Sequence, residues 1–455
     1  MTNRRNTLLL MLALISALAS GAPAEPTPER RKDFGTWWIR NHPFTLMGLT
    51  ALRHKLDTDQ YTAAGFDTVF AFKNRPPVFE STVKAGLPYH YRVQPLKKGP
   101  VTDEVKAQVT ETFEKYPGAT GVFMIDEPKW IHMPNVKEGL RWVNETWPEM
   151  LAYSNANPIG GDGVKYYGKE PPGGTYTYEQ YIDDFAQTGT DVLCFDIYPF
   201  RRDGETTTAD YFHNLQIIRN AALKAGIPYW VIIQSCEANH PGGFVVWLPS
   251  ESALRMQMFS SLAYGFTGIA YFCYDNVFER GLTEEGGAPN RLYYAAARVN
   301  TEAAHVGQAL RFLTSRHILH VRGAHEADGK TVSHPPTKHT TAYEPSSARA
   351  WSIGDITIED RGPDKDALLG LFEDDDGGRY FMIVNLSHAR GATAAQRQTT
   401  LRISLDTSID RIARLSRESG HPEWLHVENG MLELTLPGGT GDLLKIGDGQ
   451  FPGLE

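Results

Sequence analysis

Cysteine is scarce: Cys194, Cys236 and Cys273 are the only three in 455 residues. An odd number cannot all pair within one chain, and so few cannot staple a scaffold of this size, which argues against a disulfide-built fold. Their spacing holds no CxxC pair, and each lies in an apolar, strand-like run, so all three read as small buried hydrophobes. Positive charge is also in short supply, with 45 Lys and Arg against 54 Asp and Glu and a formal charge of −9. A phosphate-tracking nucleic-acid partner is therefore not expected. No G-x-G-x-x-G follows a strand and no P-loop occurs, which leaves nucleotide chemistry without support. His42, His90 and His240 are scattered without HxxxH or HxH spacing, so neither a metal nor any other cofactor is expected.

Long hydrophobic runs are missing too. The longest, from Leu8 to Leu18, covers about 11 residues, well short of the roughly 20 that span a bilayer. Arg4 and Arg5 precede it and Ala22-Pro23-Ala24 follows it, the pattern of a secretory signal peptide over residues 1–24. The expected product is a secreted or periplasmic protein whose mature chain has no membrane span. What the sequence does have is aromatic residues, 9 Trp, 20 Tyr and 21 Phe, with 22% charged residues. That composition excludes intrinsic disorder, and the length suggests two domains.

Short apolar, β-rich runs at 44–49, 66–72, 87–93, 121–125, 151–155, 192–198, 229–234 and 268–274 alternate with stretches of helical periodicity, such as Val105, Val109 and Phe113. Eight such βα units predict an α/β fold, a (β/α)8 TIM barrel spanning about 33–315. An internal echo supports the register: Lys84-Ala85-Gly86-Leu87-Pro88-Tyr89 and Lys224-Ala225-Gly226-Ile227-Pro228-Tyr229 each place a helix-terminating Gly just before a strand. Their spacing fits the openings of strands 3 and 7. Residues 322–348 lack periodicity and read as a linker or long loop. Residues 349–455 alternate as short strands with a hairpin turn at Asp376-Gly377-Gly378, predicting a small antiparallel β-sandwich-like domain whose first strand reaches back to about 316.

Chemistry in such a barrel sits at the C-terminal ends of the strands. Strand 4 ends in Ile125-Asp126-Glu127-Pro128, two carboxylates closing an otherwise apolar run. Strand 7 ends in Gln234-Ser235-Cys236-Glu237. Strand 6 ends in Asp196-Ile197-Tyr198, and strand 8 in Cys273-Tyr274-Asp275. Asp126 also suits a helix N-cap and Asp196 a structural ion pair, for example with Arg201.

These strand ends resemble the (β/α)8 glycoside hydrolases of clan A, in which an Asn-Glu-Pro motif ends strand 4 and a second Glu ends strand 7. The resemblance covers roughly residues 34–315. It implies a glycosidase with a carbohydrate substrate, Glu127 as acid/base and Glu237 as nucleophile in a retaining reaction. It also places Tyr198 beside the nucleophile and Tyr274 on the floor of the sugar site. One position departs: Asp126 stands where the family has Asn. An Asp-Glu pair there looks instead like the hexosaminidases that use substrate assistance, with Asp126 and Glu127 as the working pair. A non-catalytic glycan-binding barrel is the third reading.

Glycoside cleavage requires one protonated acid for the leaving oxygen and a second carboxylate for the oxocarbenium-like carbon. The charge of Asp126 next to Glu127 favours the acid role for Glu127, and a hydrogen bond from Tyr198 would keep Glu237 ionised. Flat rings near the strand ends, among them Trp38, Tyr91, Trp130, Tyr198 and Tyr274, are candidates for stacking on sugar faces. Gln234 and Asp196 complete the expected substrate contacts.

Overall fold

The computed structural model describes residues 30–93, 99–201, 208–240, 245–323, 340–359 and 366–454. The expected leader, 1–24, and most of the expected linker, 324–339, lie outside the described residues. From Asp33 onward the chain forms one compact unit.

Eight parallel strands close a barrel: β1 Thr45–Thr50, β2 Thr68–Ala71, β3 Tyr89–Arg92, β4 Ala119–Asp126, β5 Leu151–Ala156, β6 Leu193–Ile197, β7 Tyr229–Gln234 and β8 Gly268–Phe272. The ring shuts where β1 pairs with β8 through Thr45 and Gly268. All six residues of β1 are buried, because one face of each strand fills the barrel and the other meets the helices. Met47, Leu49, Phe70, Phe123, Tyr153 and Trp230 pack inside the barrel, whereas Leu46, Val69, Val122 and Val231 face outward.

The surrounding helices are α1 Phe34–Asn41, α2 Thr58–Ala63, α3 Pro76–Ala85, α4 Asp103–Lys115, α5 Met133–Thr146, α6 Gly163–Tyr167, α7 Tyr178–Ala186, α8 Thr208–Ala225, α9 Glu251–Tyr264 and α10 Arg291–Leu310. Gly86 and Gly226, the two echoed glycines, both take φ 69°, the left-handed conformation that ends α3 and α8. Helix α1 closes the end of the barrel opposite the cleft. Its Gly35 sits so close to the backbone before β6 that a Cβ would come within 1.9 Å of the Asp191 carbonyl oxygen.

After α10 the chain turns antiparallel. Strands β9 Thr314–Val321, β10 Ile353–Glu359, β11 Ala367–Glu373, β12 Arg379–Asn385, β13 Thr399–Leu405, β14 Arg411–Leu415, β15 Pro422–His426, β16 Met431–Leu436 and β17 Gly441–Lys445 form two sheets. The six-stranded sheet runs β9-β11-β12-β17-β14-β15 and the three-stranded one β10-β13-β16. Leu369, Phe381, Ile383, Leu401, Ile403 and Leu434 fill the space between them. Asp374 ties the β11–β12 turn by accepting from the backbone N–H groups of Asp376 and Gly378.

Helix α9 joins the two halves. Every residue from Ser252 to Tyr264 is buried, as expected of a helix covered on both sides. The six-stranded sheet approaches so closely that a Cβ on Gly370 would lie 2.1 Å from the Ala263 carbonyl oxygen. The three cysteines are free and buried.

Candidate active site

At the C-terminal mouth of the barrel lies a cleft of about 480 Å³ lined by Asp126, Glu127, Asn155, Lys165, Asp196, Tyr198, Arg201 and Asp210, with Leu49, Phe72, Ile232 and Phe272 forming its apolar wall. That size is typical of a small-ligand site.

Period-two alternation explains much of this lining. Phe70 and Phe72, Tyr153 and Asn155, Cys194 and Asp196, and Trp230 and Ile232 each place an interior residue and a cleft residue two positions apart on one strand. Strand β4 breaks the pattern. Its pairing with β5 is regular through Phe123 and Tyr153, then shifts before Asp126 meets Asn155. Met124 and Ile125 both pack outward across this irregularity, and Asp126 comes to face the cleft, the re-aiming that a bulge produces. Glu127 follows with φ 48°, a left-handed conformation uncommon for a residue with a side chain. Its N–H donates to the Asn155 carbonyl at 2.9 Å. Two adjacent carboxylates thereby face one cleft.

The Asn155 side-chain amide links the acidic groups, donating to Asp196 Oδ1 at 2.5 Å and to Asp126 Oδ1 at 3.4 Å. On its other side Asp126 meets Arg92, whose guanidinium lies 3.4 Å away and is stacked 3.9 Å over the Phe72 ring. Burial lowers the Arg92 pKa while the charge of Asp126 opposes that shift. Asp196 is 5% exposed, and burial pushes its carboxyl well above the usual carboxylate range. The charges of Glu127 and Asp126 add to that shift, against hydrogen bonds from Asn155 and Tyr198. The Tyr198 ring stacks on Phe272 at 5.4 Å.

The Tyr198 hydroxyl thus serves Asp196, not Glu237 as expected. Glu237 is absent from the cleft lining. Its backbone bridges to Arg280, and the Arg280 guanidinium holds its carboxylate at 3.2 Å, with 27% of the Glu237 side chain exposed. Gln234 is fully buried: its carbonyl accepts from the Phe200 N–H and its amide donates to the Trp247 carbonyl, so both ends stitch loops together.

Four other expected contacts are placed away from the cleft. Tyr91 points outward onto Phe113, since it is one residue out of phase with the interior His90. Tyr274 packs edge-on against Tyr61 and binds Gln60. Trp38 lies in α1 at the opposite end, stacked 3.9 Å from His42. Trp130 stacks on Tyr167 at 4.5 Å and does not line the cleft.

The cleft residues that sequence reasoning missed include Asn155, Lys165, Asp210, Phe72 and Phe272, together with Arg92, the partner of Asp126. For Asn155 and Arg92 a signal existed, because each follows an inward aromatic or His by two positions. Lys165 had none, since α6 is an insertion in the β5–α7 connection. Among the described residues no cluster of three or more His, Cys, Asp or Glu is arranged to hold a metal, and no helix is long and apolar enough to cross a membrane.

The closed barrel with antiparallel sheets appended has the fold of the clan A-like (β/α)8 glycoside hydrolases. One solved structure carries that likeness: a glycoside hydrolase family 5 protein from Bacteroides vulgatus ATCC 8482 has TM-score 0.51 at 11% identity, covering 91% of this chain and 91% of that one. A family 39 glycoside hydrolase from the gut symbiont Bacteroides cellulosilyticus WH2 has TM-score 0.43 at 14% identity, over 90% of this chain and 82% of that one. No protein-family model matches the chain, and no curated protein matches it in sequence.

Proposed function

We propose that this chain is a glycoside hydrolase acting on a carbohydrate outside the cytoplasm, with Asp196, Glu127 and Asp126 as its working carboxylates. The observation that carries this reading is the convergence of three carboxylates, from the ends of β4 and β6, on one cleft of a glycosidase-type barrel. Export rests on the leader-like pattern of residues 1–24.

Asp196 is the proton donor in this reading. Burial and two neighbouring charges favour its protonated form, which is what a general acid needs. Glu127, exposed at the rim, is the carboxylate that meets the developing positive charge of the sugar ring. Asp126 is a positioning residue: held by Arg92, it shares the Asn155 amide with Asp196 and so fixes the donor's orientation.

The adjacency of Asp126 and Glu127 also suits substrate assistance, in which Asp126 orients an acetamido group and Glu127 supplies the proton. A thiazoline inhibitor separates the two: strong inhibition favours substrate assistance. Turnover of a panel of aryl glycosides and glycans by Asp196→Asn, Glu127→Gln and Glu237→Gln tests the main assignment. The expected result is a loss of about 10²–10⁴-fold for the first two variants. Full activity in Asp196→Asn with loss in Glu237→Gln would return the second role to Glu237.

A further inference from the structure

The cleft carries two cations as well as its acids. Lys165, on α6, and Arg201, just after β6, both line the cleft. The Lys165 ammonium donates to the Pro158 carbonyl at 3.3 Å, and the Arg201 Nε is enclosed without an acceptor. Among the described residues neither cation is held in an ion pair with a carboxylate, although each bears on the other. The Arg201 charge acts against the Lys165 ammonium, while Glu127 and Asp196 act in its favour. Asp210, exposed, also lines the cleft and is paired with neither.

Two half-buried cations, neither ion-paired with a carboxylate among the described residues, line the same cleft as its acids and its apolar residues Phe72, Ile232 and Phe272, in a protein that is acidic overall. A neutral sugar offers these cations hydroxyl acceptors but no opposite charge, whereas an oxyanion offers both. We infer that the substrate is an anionic glycan, with a carboxylate or sulfate on the sugar seated between Lys165 and Arg201 while the ring packs against the apolar wall. Arg and Lys each form charge-assisted hydrogen bonds to such oxyanions. The carboxylates on the cleft floor repel the same group, so the cations and the acids together fix which end of the sugar points to the catalytic side. This inference rests on the cleft being the glycan site proposed above.

The test measures binding apart from turnover. Wild-type protein is titrated calorimetrically with disaccharides of glucuronate, galacturonate and mannuronate, with the 6-O-sulfated disaccharides of glucose, galactose and mannose, and with the corresponding neutral sugars. Lys165→Met and Arg201→Met are titrated alongside, with their folding checked by circular dichroism. The expected result is that at least one anionic series binds about tenfold tighter than its neutral counterpart and that each substitution removes most of that preference. A carboxylate series alone, or a sulfated series alone, identifies which oxyanion is used. Binding of neutral sugars as tight as any anionic one, or a preference that survives both substitutions, overturns the inference. Anionic binding without cleavage in any series would overturn the hydrolase reading and leave the inference standing.

Discussion

Charge is buried in two regions of this molecule, and they are built on opposite plans. At the seam between barrel and sheets, Arg255 on α9 grips Glu302 on α10 at 2.6 Å. Arg417 reaches Glu302 at 3.4 Å and Asp442 at 2.6 Å, and Arg414 on β14 holds Asp442 at 3.0 Å. The Asp442 side chain is fully buried, and it faces two guanidinium groups. In the cleft the ratio is reversed: four carboxylates and two cations line it, and Arg92 contacts one of the acids. Satisfied charge fixes a geometry, whereas like charges crowded together hold a proton ready. The first suits structure and the second suits chemistry.

The sharpest break of this contrast is Asp196→Asn. Turnover should fall by about 10²–10⁴-fold while the melting temperature at neutral pH stays close to that of the wild type, because the amide replaces a carboxyl whose neutral form burial already favours. A variant that melts lower would show that Asp196 is as satisfied as Asp442. At the seam the expected effect falls on stability instead: Asp442→Ala leaves Arg414 and Arg417 facing an empty site. It should destabilise the protein by about 3–5 kcal/mol in urea unfolding, with turnover per folded molecule preserved.

A smaller effect belongs to pH. Burial raises Asp67 to about 7 and Asp275 to about 6, and Asp196 also moves upward. A carboxyl whose folded pKa lies above its unfolded value favours the fold while protonated. The contribution of these carboxyls to stability should therefore be fullest near pH 4 and be lost as pH rises through 6 and 7. Asp67→Asn should flatten that decline in melting curves across pH 4–8, and an unchanged slope would contradict the burial argument. The smallest effect is predicted for Glu237→Gln. Its pair with Arg280 is partly exposed, with side chains 27% and 44% accessible, so stability should shift by less than about 1 kcal/mol and turnover by less than about threefold.

Much of the fold was legible because barrel strands announce themselves. All eight apolar runs became strands, since each must bury both faces and so carries few polar residues until its end. The pair at the end of β4 was legible for the same reason, as a polar interruption of an apolar run. A second acid of the cleft was expected at the end of β7, whereas the cleft is lined by Asp196 from β6. Glu237 lies three residues beyond the last residue of that strand, where the chain has already turned to bridge Arg280, whereas Asp196 lies inside β6, in phase with the interior Cys194. Tyr91 and Tyr274 were misplaced because aromatic residues at strand ends serve the helix layer as readily as the cleft.

By itself the sequence determined the alternation of strands and helices, the scarcity of cross-links and the presence of acids at the catalytic end, all of which follow from local burial requirements. Which acids meet was decided by the tertiary structure alone. A register shift in β4 turned Asp126 inward, Asn155 on the neighbouring strand tied it to Asp196, and a loop drew Glu237 away to Arg280. Such contacts depend on the offset between strands distant in sequence, and no local pattern of residues encodes that offset.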